Sequence, residues 1–439
     1  MISKQDKDIA KWAIEFALKN GCSASRTAIA VSYNNSFEYR NNQLDKLHQS
    51  SENKLYIELY VDGRFGAFST NRINKDELEY FIKESILSTR FLAKDLCRQL
   101  PEPERYYRPS GRDLDLFDNS YYDIETKQKI DLAKSTVEEV YQSDPSIIST
   151  VASFDDACSS EYIIASNGFE GETKDTAFSI SAEVALKTDG DARPESYWYD
   201  SSVYWKDLNK KGIAKKAFNR ALGKIGQRKV RSGKYSFVVD NTVSSRLISP
   251  LISAMFGSAL HQKSSFLLDK LNKKIASDKL TITDSPHIPR SFGSRFFDGE
   301  GIATKTRTII ENGELKSYFI DTYNSLKMGI EPTIASPSVL TAKHGELNFE
   351  QLIKTMYTGI WITGFNGGNC NPTTGDFSFG IEGFRIENGS VTFPIGEMNI
   401  TGNMLSLWSK LLEVGNDPRI NSSFKIPSLL FLDVNFSGL

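Results

Sequence analysis

The stretch from Ile360 to Gly402 constrains the fold of this chain more than any other. A strand-like run, Tyr357 to Phe365, ends in a glycine-rich loop, Asn366 to Gly375. Apolar residues then alternate at Phe377, Phe379 and Ile381, and again at Phe384 and Ile386, which predicts a strand with one buried face. Asn388-Gly389 separates that run from Val391 to Ile395. Asn-Gly between alternating apolar residues predicts a type I′ hairpin, because both turn residues need positive φ. The loop is therefore mounted on antiparallel sheet. It lacks the Gly-Lys-Ser/Thr ending of a phosphate-binding loop and follows no βαβ pattern. Its glycines read as points of sharp turning and close backbone approach rather than as a phosphate cradle.

The rest of the chain repeats this mixture of helix and antiparallel strand. Ile9, Ala10, Trp12, Ala13, Phe16 and Ala17 form a helical stripe closed by Gly21. Strands follow at Thr27 to Tyr33 and Lys54 to Val61, and Asp62-Gly63 turns the chain into a third, Arg64 to Ser69. Asn74 with Glu77 three residues later starts a second helix. Leu100 to Asn119, rich in Pro, Arg, Asp and Tyr, reads as a linker. Beyond it the pattern predicts a helix from Ile124 to Tyr141, strands at Ile147 to Phe154, Glu161 to Ser166 and Thr176 to Thr188, and a helix from about Asp207 to Gln227. The last part opens with a strand at Tyr235 to Asp240 and a helix over Thr242 to Phe256 that Pro250 must kink or interrupt. A hairpin turning at Asn312-Gly313, a short closing helix at Trp408 to Val414 and a final strand at Leu429 to Asn435 complete it. Separate helical and antiparallel pieces outnumber any βαβ repeat, so the fold class is α+β. The expected layout is two small N-terminal α+β units, 1–99 and 120–228, and a larger C-terminal domain, 229–439, of curved, barrel-like antiparallel sheet.

Charge and composition exclude several function classes. The net charge is −2 over 439 residues, which gives no whole-chain pull toward nucleic acid or anionic membrane. One helix face does carry Lys210, Lys211, Lys215, Lys216, Arg220 and Lys224, followed by Arg228, Lys229, Arg231 and Lys234. Acids elsewhere balance it, so it reads as a solvated face, with nucleic-acid binding as the alternative. Cys22, Cys97, Cys158 and Cys370 are widely spaced, which suits reduced thiols. No run approaches a membrane span and the N-terminus has no signal-peptide core, so a cytoplasmic location is expected.

Three kinds of chemistry come into question. A zinc hydrolase wants two imidazoles one helical turn apart and a carboxylate base; His48, His261, His287 and His344 include no such pair. Cys370 lies in the glycine-rich loop, where backbone N–H groups suit an oxyanion. A nucleophilic thiol needs a base, and His344 is only a remote candidate. Asp298, Glu300 and Asp376 form an acidic set in loop-like positions that a paired-carboxylate hydrolase would use.

The run GGNCNPTTGDFSFGIEGFRIENG, followed by P-x-x-E-x-x-I-x-G-N, resembles the C-terminal domain of the TldD/PmbA family, and more closely its PmbA (TldE) branch. FFDGEGIATKTRTIIENGELKSYFIDTYNSLKMG and VGNDPR, from Val414 to Arg419, extend the resemblance. In the TldD branch an early C-terminal-domain helix carries HExxxH. With Gly257 and Leu260 as anchors, Ser253 and Ser258 stand at the ligand positions and Ala254 at that of the base. The stretch matching a late cysteine ligand, Asn421 to Ser428, has no Cys. The resemblance thus implies a metal-free subunit with no cofactor of its own, paired with a TldD-like protease that holds the zinc. It also implies peptide or unfolded-polypeptide substrates, and a homodimer when the chain is alone. Gly367, Gly368, Asn369, Asn371, Thr374, Gly375 and Asp376 are then expected at a cleft or subunit contact. The FDGEG segment with Asp298 and Glu300 is expected to be structural or substrate-guiding. A link to DNA gyrase modulation follows most economically from processing of gyrase-directed peptides. A stand-alone hydrolase using Cys370 or the loop carboxylates, and a modulator binding gyrase or nucleic acid directly, are the alternatives.

Overall fold

Two long hairpins organise the first half of the chain. In the computed structural model, which describes residues 1–438, β1 (Ala24–Arg40) pairs with β2 (Gln43–Val61), and β2 with β3 (Arg64–Thr70). Further on, β4 (Ile147–Ala165) pairs with β5 (Glu170–Leu186), and β5 with β6 (Glu195–Ser202). β1 and β4 lie side by side, so the pieces expected as separate N-terminal units share one antiparallel sheet in the order β3-β2-β1-β4-β5-β6. Helices α1 (Lys4–Lys19), α2 (Lys75–Arg90) and α3 (Thr126–Glu138) cover one face. Ser3 and Asn74 cap α1 and α2 through the N–H groups of Asp6 and Glu77, satisfying donors that a helix start leaves open. Ile9, Ala13, Leu78 and Ile82 meet Ile29, Leu55, Ile57 and Tyr162 in the core beneath α1 and α2.

Several elements differ from expectation for traceable reasons. β4 runs unbroken where two strands were expected, because Asp156, Cys158 and Ser160 also point into the buried face. Asp156 accepts from Tyr121 Oη at 2.6 Å and Asn35 Nδ2 at 2.8 Å, and faces the ammonium of Lys129 on α3 at 2.9 Å. That last contact is an ion pair rather than an aligned hydrogen bond, since Asp156 Oδ2 has no donor in line with it. The expected linker is packed instead: Tyr106, Leu114 and Phe117 are buried, and Asn167 donates to Pro101 O and accepts from Tyr106 Oη.

Contact density divides the molecule into two units, the first holding Met1–Asn219 and Arg295–Thr304, the second Arg220–Ser294 and the chain from Lys305 onward. The decapeptide Arg295–Thr304 thus belongs with the N-terminal sheet. Tyr107 N–H donates to Gly301 O, Ala303 N–H to Arg105 O, and Tyr107 stacks on Phe296. Gly301 has φ +86°, and a Cβ there would meet the Phe169 ring at 2.8 Å. After β6 the chain enters α4 (Ile213–Gly223), which is capped by Glu139, whose carboxylate accepts from Gly212, Ala214 and Lys215 N–H.

The second unit is a small closed barrel with appendages. In chain order it contains β7 (Gly233–Val239), α5 (Ser245–Ala254), α6 (Gly257–His261), β8 (Ile282–Asp284), β9 (Arg307–Glu311), β10 (Glu314–Leu315), α7 (Thr322–Met328), β11 (Leu340–Ala342) and α8 (Phe349–Met356). There follow β12 (Gly359–Phe365), β13 (Asn369–Cys370), β14 (Asp376–Glu387), β15 (Ser390–Asn403), α9 (Met404–Ser409), β16 (Leu411–Val414), β17 (Phe424–Lys425) and β18 (Leu429–Ser437). β7, β18, β15, β14 and β12 pair in turn, and β12 returns to pair with β7 in parallel, which closes the ring. The register shifts in the β12–β14 pairing at Ile362 to Gly364 and in the β14–β15 pairing at Ile381 to Gly383, as bulges do where a sheet must curl. Val238, Trp361, Ile386 and Leu430 face α8. Their neighbours Phe237, Val239, Ile360, Ile362 and Phe431 alternate to the other face and are fully buried. The expected closing helix is α9 followed by β16, because Leu411 and Val414 pair with β18. A second sheet, β10-β9-β8-β11-β17, sits outside the ring. Both Asn-Gly hairpins are as expected: Asn388 and Gly389 have φ of 53° and 70°, Asn312 and Gly313 of 47° and 76°. No helix among the described residues is long and apolar enough to cross a membrane.

Candidate functional site at the glycine-rich loop

β12 delivers the chain to the loop and β14 takes it away, with β13 pairing back onto Phe377 and Ser378. Gly367, Gly368 and Gly375 have φ of 85°, 86° and 80°, the region only glycine enters freely. At Gly368 a Cβ would also lie 2.1 Å from Ser378 O. Polar side chains then fix the loop. Asn371 Oδ1 accepts from Thr373 and Thr374 N–H, and Asp376 accepts from Thr374 Oγ1 at 2.7 Å. Asn403 Nδ2 donates to Asp376 Oδ1 and Thr374 O, while its Oδ1 caps α9 through Leu405 N–H. The asparagine ending the P-x-x-E-x-x-I-x-G-N run is therefore the clasp of the loop.

Two elements from earlier in the chain meet this loop. Arg246 on α5 donates to Gly368 O at 2.9 Å and lies over the Phe379 ring. Phe266, just beyond α6, donates its N–H to Pro372 O and packs on Gly375. Nothing in the sequence marked Arg246 or Phe266; each is positioned by packing between distant segments. Ser253 stands seven residues after Arg246, two helical turns on and on the same stripe, and is exposed. Ala254 is buried. The helix expected to continue to Phe256 stops there, even though Pro250 is tolerated inside it. Gly257 donates its N–H to Phe319 O, Phe319 returns one to Met255 O, and α6 restarts at Gly257, where a Cβ would lie 2.8 Å from Asn324 Cβ. Ser253 and exposed Ser258 consequently sit on separate helices.

These residues do not fit a zinc ion. Ser253 and Ser258 offer neutral hydroxyls and Ala254 no donor, whereas zinc takes thiolate, imidazole or carboxylate. Among the described residues no group of three His, Cys, Asp or Glu side chains is arranged to hold a metal. The VGNDPR segment serves the structure, since Asp417 accepts from Ser428 N–H and Oγ and from Asn241 Nδ2.

Cys370 is half-buried and its thiol is directed only to the neighbouring Asn371 O, at 3.7 Å. Burial, and then the Asp376 charge, pushes it above the usual thiol range, the reverse of what a nucleophile needs. The acidic set is divided. Asp298 and Glu300 belong to the first unit and Asp376 to the second. Asp298 is buried, with Oδ1 accepting from Glu300 and Ile302 N–H, so it shapes the turn. Much of the basic face is also engaged: Lys216 lies over Trp198, Lys210 over Trp205, Lys224 pairs with Glu382 and Lys229 with Glu397.

The hydrogen bonds from Asn403, and next Thr374, hold the Asp376 carboxyl below the ordinary aspartate range. A depressed carboxyl steadies the loop above its unfolded pKa, and that contribution is lost as pH falls through the folded value. Carboxyl NMR should find Asp376 titrating below a free aspartate, with Asn403→Ala moving it upward. An unchanged titration in that variant would remove Asn403 as the cause.

Comparison with known proteins places the chain. Residues 29–88 match domain 1 of the PmbA/TldA metallopeptidases, 119–225 the central domain and 232–438 the C-terminal domain. The chain belongs to the PmbA/TldD family. It is 28% identical to the metalloprotease PmbA of Escherichia coli O157:H7 over 94% of this chain and 92% of that one. A Bacteroides thetaiotaomicron protein, crystallised as a candidate modulator of DNA gyrase, is 54% identical with both chains fully covered and a TM-score of 0.98. TldE of Thermococcus kodakarensis shares the fold at 19% identity and a TM-score of 0.86, covering 98% of this chain and 100% of that one.

Proposed function

We propose that this chain is a non-catalytic, PmbA/TldE-like subunit that works with a TldD-like, zinc-bearing peptidase subunit in peptide processing in the cytoplasm. One observation carries the reading. At the positions where the TldD branch would place its ligands and base stand Ser253, Ser258 and Ala254, on two helices separated by the Phe256–Phe319 bridge. Serine hydroxyls stay neutral at physiological pH and replace neither imidazole nor carboxylate. The loop at Gly367 to Asp376, clasped by Asn403 and Arg246, is well suited to contact an extended peptide or the partner subunit. PmbA relatives named metalloproteases match nearly the whole chain, and the name fits an assembly in which the metal belongs to another subunit.

The test is hydrolysis of short unstructured peptides by the purified chain, by a TldD-like subunit from the same source, and by their mixture, each with added zinc. Activity in the mixture above that of either subunit, abolished by a chelator, is expected. Chelator-sensitive hydrolysis by this chain alone would overturn the reading. Cys370→Ala should leave the activity of the mixture unchanged, because burial raises the thiol's pKa and leaves little of the attacking thiolate.

A further inference from the structure

We propose that the outer edge of β2 between Gln43 and Asn53 is where a second copy of this chain docks, strand against strand. β3 covers β2 only from Leu55 to Val61. From Gln43 to Asn53 every residue is exposed, and β1 occupies only the inner edge. A row of backbone N–H and C=O groups therefore points outward, the kind of edge that recruits another strand. Natural edges are guarded by charges, proline or bulges. Here the bulge and the Asp45–Lys46 pair guard only one end, and the run Leu47-His48-Gln49-Ser50-Ser51 has neither charge nor proline. Leu44 and Leu47 pair with Tyr39 and Phe37 of β1 and so share a face, because the bulge at Asp45 shifts the alternation; they are 41% and 51% exposed.

The charges on this edge complement themselves in one register. In an antiparallel pair centred on Gln49, Lys46 stands opposite Glu52 of the other copy, and the two-fold axis repeats the contact. Leu47 meets Ser51 and His48 meets Ser50. Centring on Ser50 would set Lys46 against Lys54, and centring on His48 would leave Lys46 opposite the uncharged Ser50. Directly opposed unlike charges stabilise a strand pair and like charges destabilise it, so the Gln49 register is selected. Within one copy Lys46 already pairs with Glu38 and Lys54 with Glu52. The contact would therefore join two runs of alternating sign. The inference goes beyond the subunit reading and does not depend on it, since it concerns copies of this chain alone.

Sedimentation of the full-length chain over a concentration series tests it. The wild type should dimerise, and Lys46→Glu should weaken the dimer by about tenfold or more, because it creates two like-charge contacts. K46E/E52K should recover most of the affinity, because it restores the opposed unlike charges with their signs exchanged while keeping Lys46→Glu, which separates the contact from misfolding. Oxidised Gln49→Cys should give a covalent dimer, since opposed residues at the two-fold bring their Cβ atoms to about 4.5–5.5 Å. A monomeric wild type overturns the proposal. So does a dimer that ignores Lys46→Glu and yields no Gln49→Cys crosslink, the outcome expected if this edge serves extended peptides or another protein instead.

Discussion

Gly383→Ala is expected to destabilise the second unit by more than about 3 kcal/mol, because the new methyl has nowhere to go. A Cβ at this position would lie 1.9 Å from Trp361 O and 3.0 Å from Ile362 Cα. Both are backbone atoms of β12, so no side-chain rotation relieves the clash. Gly383 pairs with Ile362 where β14 closes onto β12. The two strands must separate, and the ring opens at its seam. That removes ladder hydrogen bonds and exposes Ile360, Ile362 and Ile386, all fully buried. Denaturant unfolding, compared with Gly190→Ala at a position with open space around it, measures the effect. The control should stay within about 0.5 kcal/mol of wild type. A Gly383→Ala midpoint equal to the control's would show that the seam absorbs a methyl.

Lys129→Met should cost about 3–5 kcal/mol in the first unit, the usual consequence of removing one partner from a buried ion pair. Both side chains are buried, at 7% and 0% exposure. The substitution keeps most of the aliphatic volume of Lys129 but leaves the Asp156 carboxylate facing no cation. Tyr121 and Asn35 still donate to its Oδ1, which is too little to stabilise a full charge away from water. Adding Asp156→Asn should recover part of the loss, since a neutral amide needs no counter-charge and still accepts from Tyr121. Urea unfolding of the single and double variants gives the coupling. A single-variant loss under about 1 kcal/mol would place this pair with exposed ion pairs.

The sequence was most informative where one face of an element is buried and the other wet. The alternation at Phe377 to Ile386 and the Asn-Gly turns predicted β14, β15 and their hairpin, since burial on one side writes itself into the residues. The long arm of β1 and β2 escaped for the complementary reason. From Gln43 to Asn53 neither face is covered, so selection for burial left no periodicity. Barrel closure was also hidden. It rests on the parallel β7–β12 contact, which joins segments far apart in the chain and has no local signature. At the candidate site, the chemistry of Ser253, Ala254 and Ser258 could be read directly. The break between α5 and α6 could not, because it comes from the bridge to Phe319 and the crowding of Gly257 by Asn324. The tie from Arg246 to Gly368 was invisible for the same reason.

The decapeptide Arg295–Thr304 has a consequence for how the protein is made. The first unit is not finished when residue 219 has been synthesised: the space bounded by Tyr106 and Phe169 waits for Phe297 and Ile302, which emerge from the ribosome much later. Domains usually fold in the order of their synthesis. Here the N-terminal sheet must pass through a stage with an open aromatic socket while β7, α5 and α6 are being translated. A nascent chain stalled before Phe296 should be digested by protease near Tyr106, and one stalled well beyond Thr304 should resist. Residues 1–219 expressed alone would carry the same exposed socket, whereas a fusion that supplies residues 295–304 would close it.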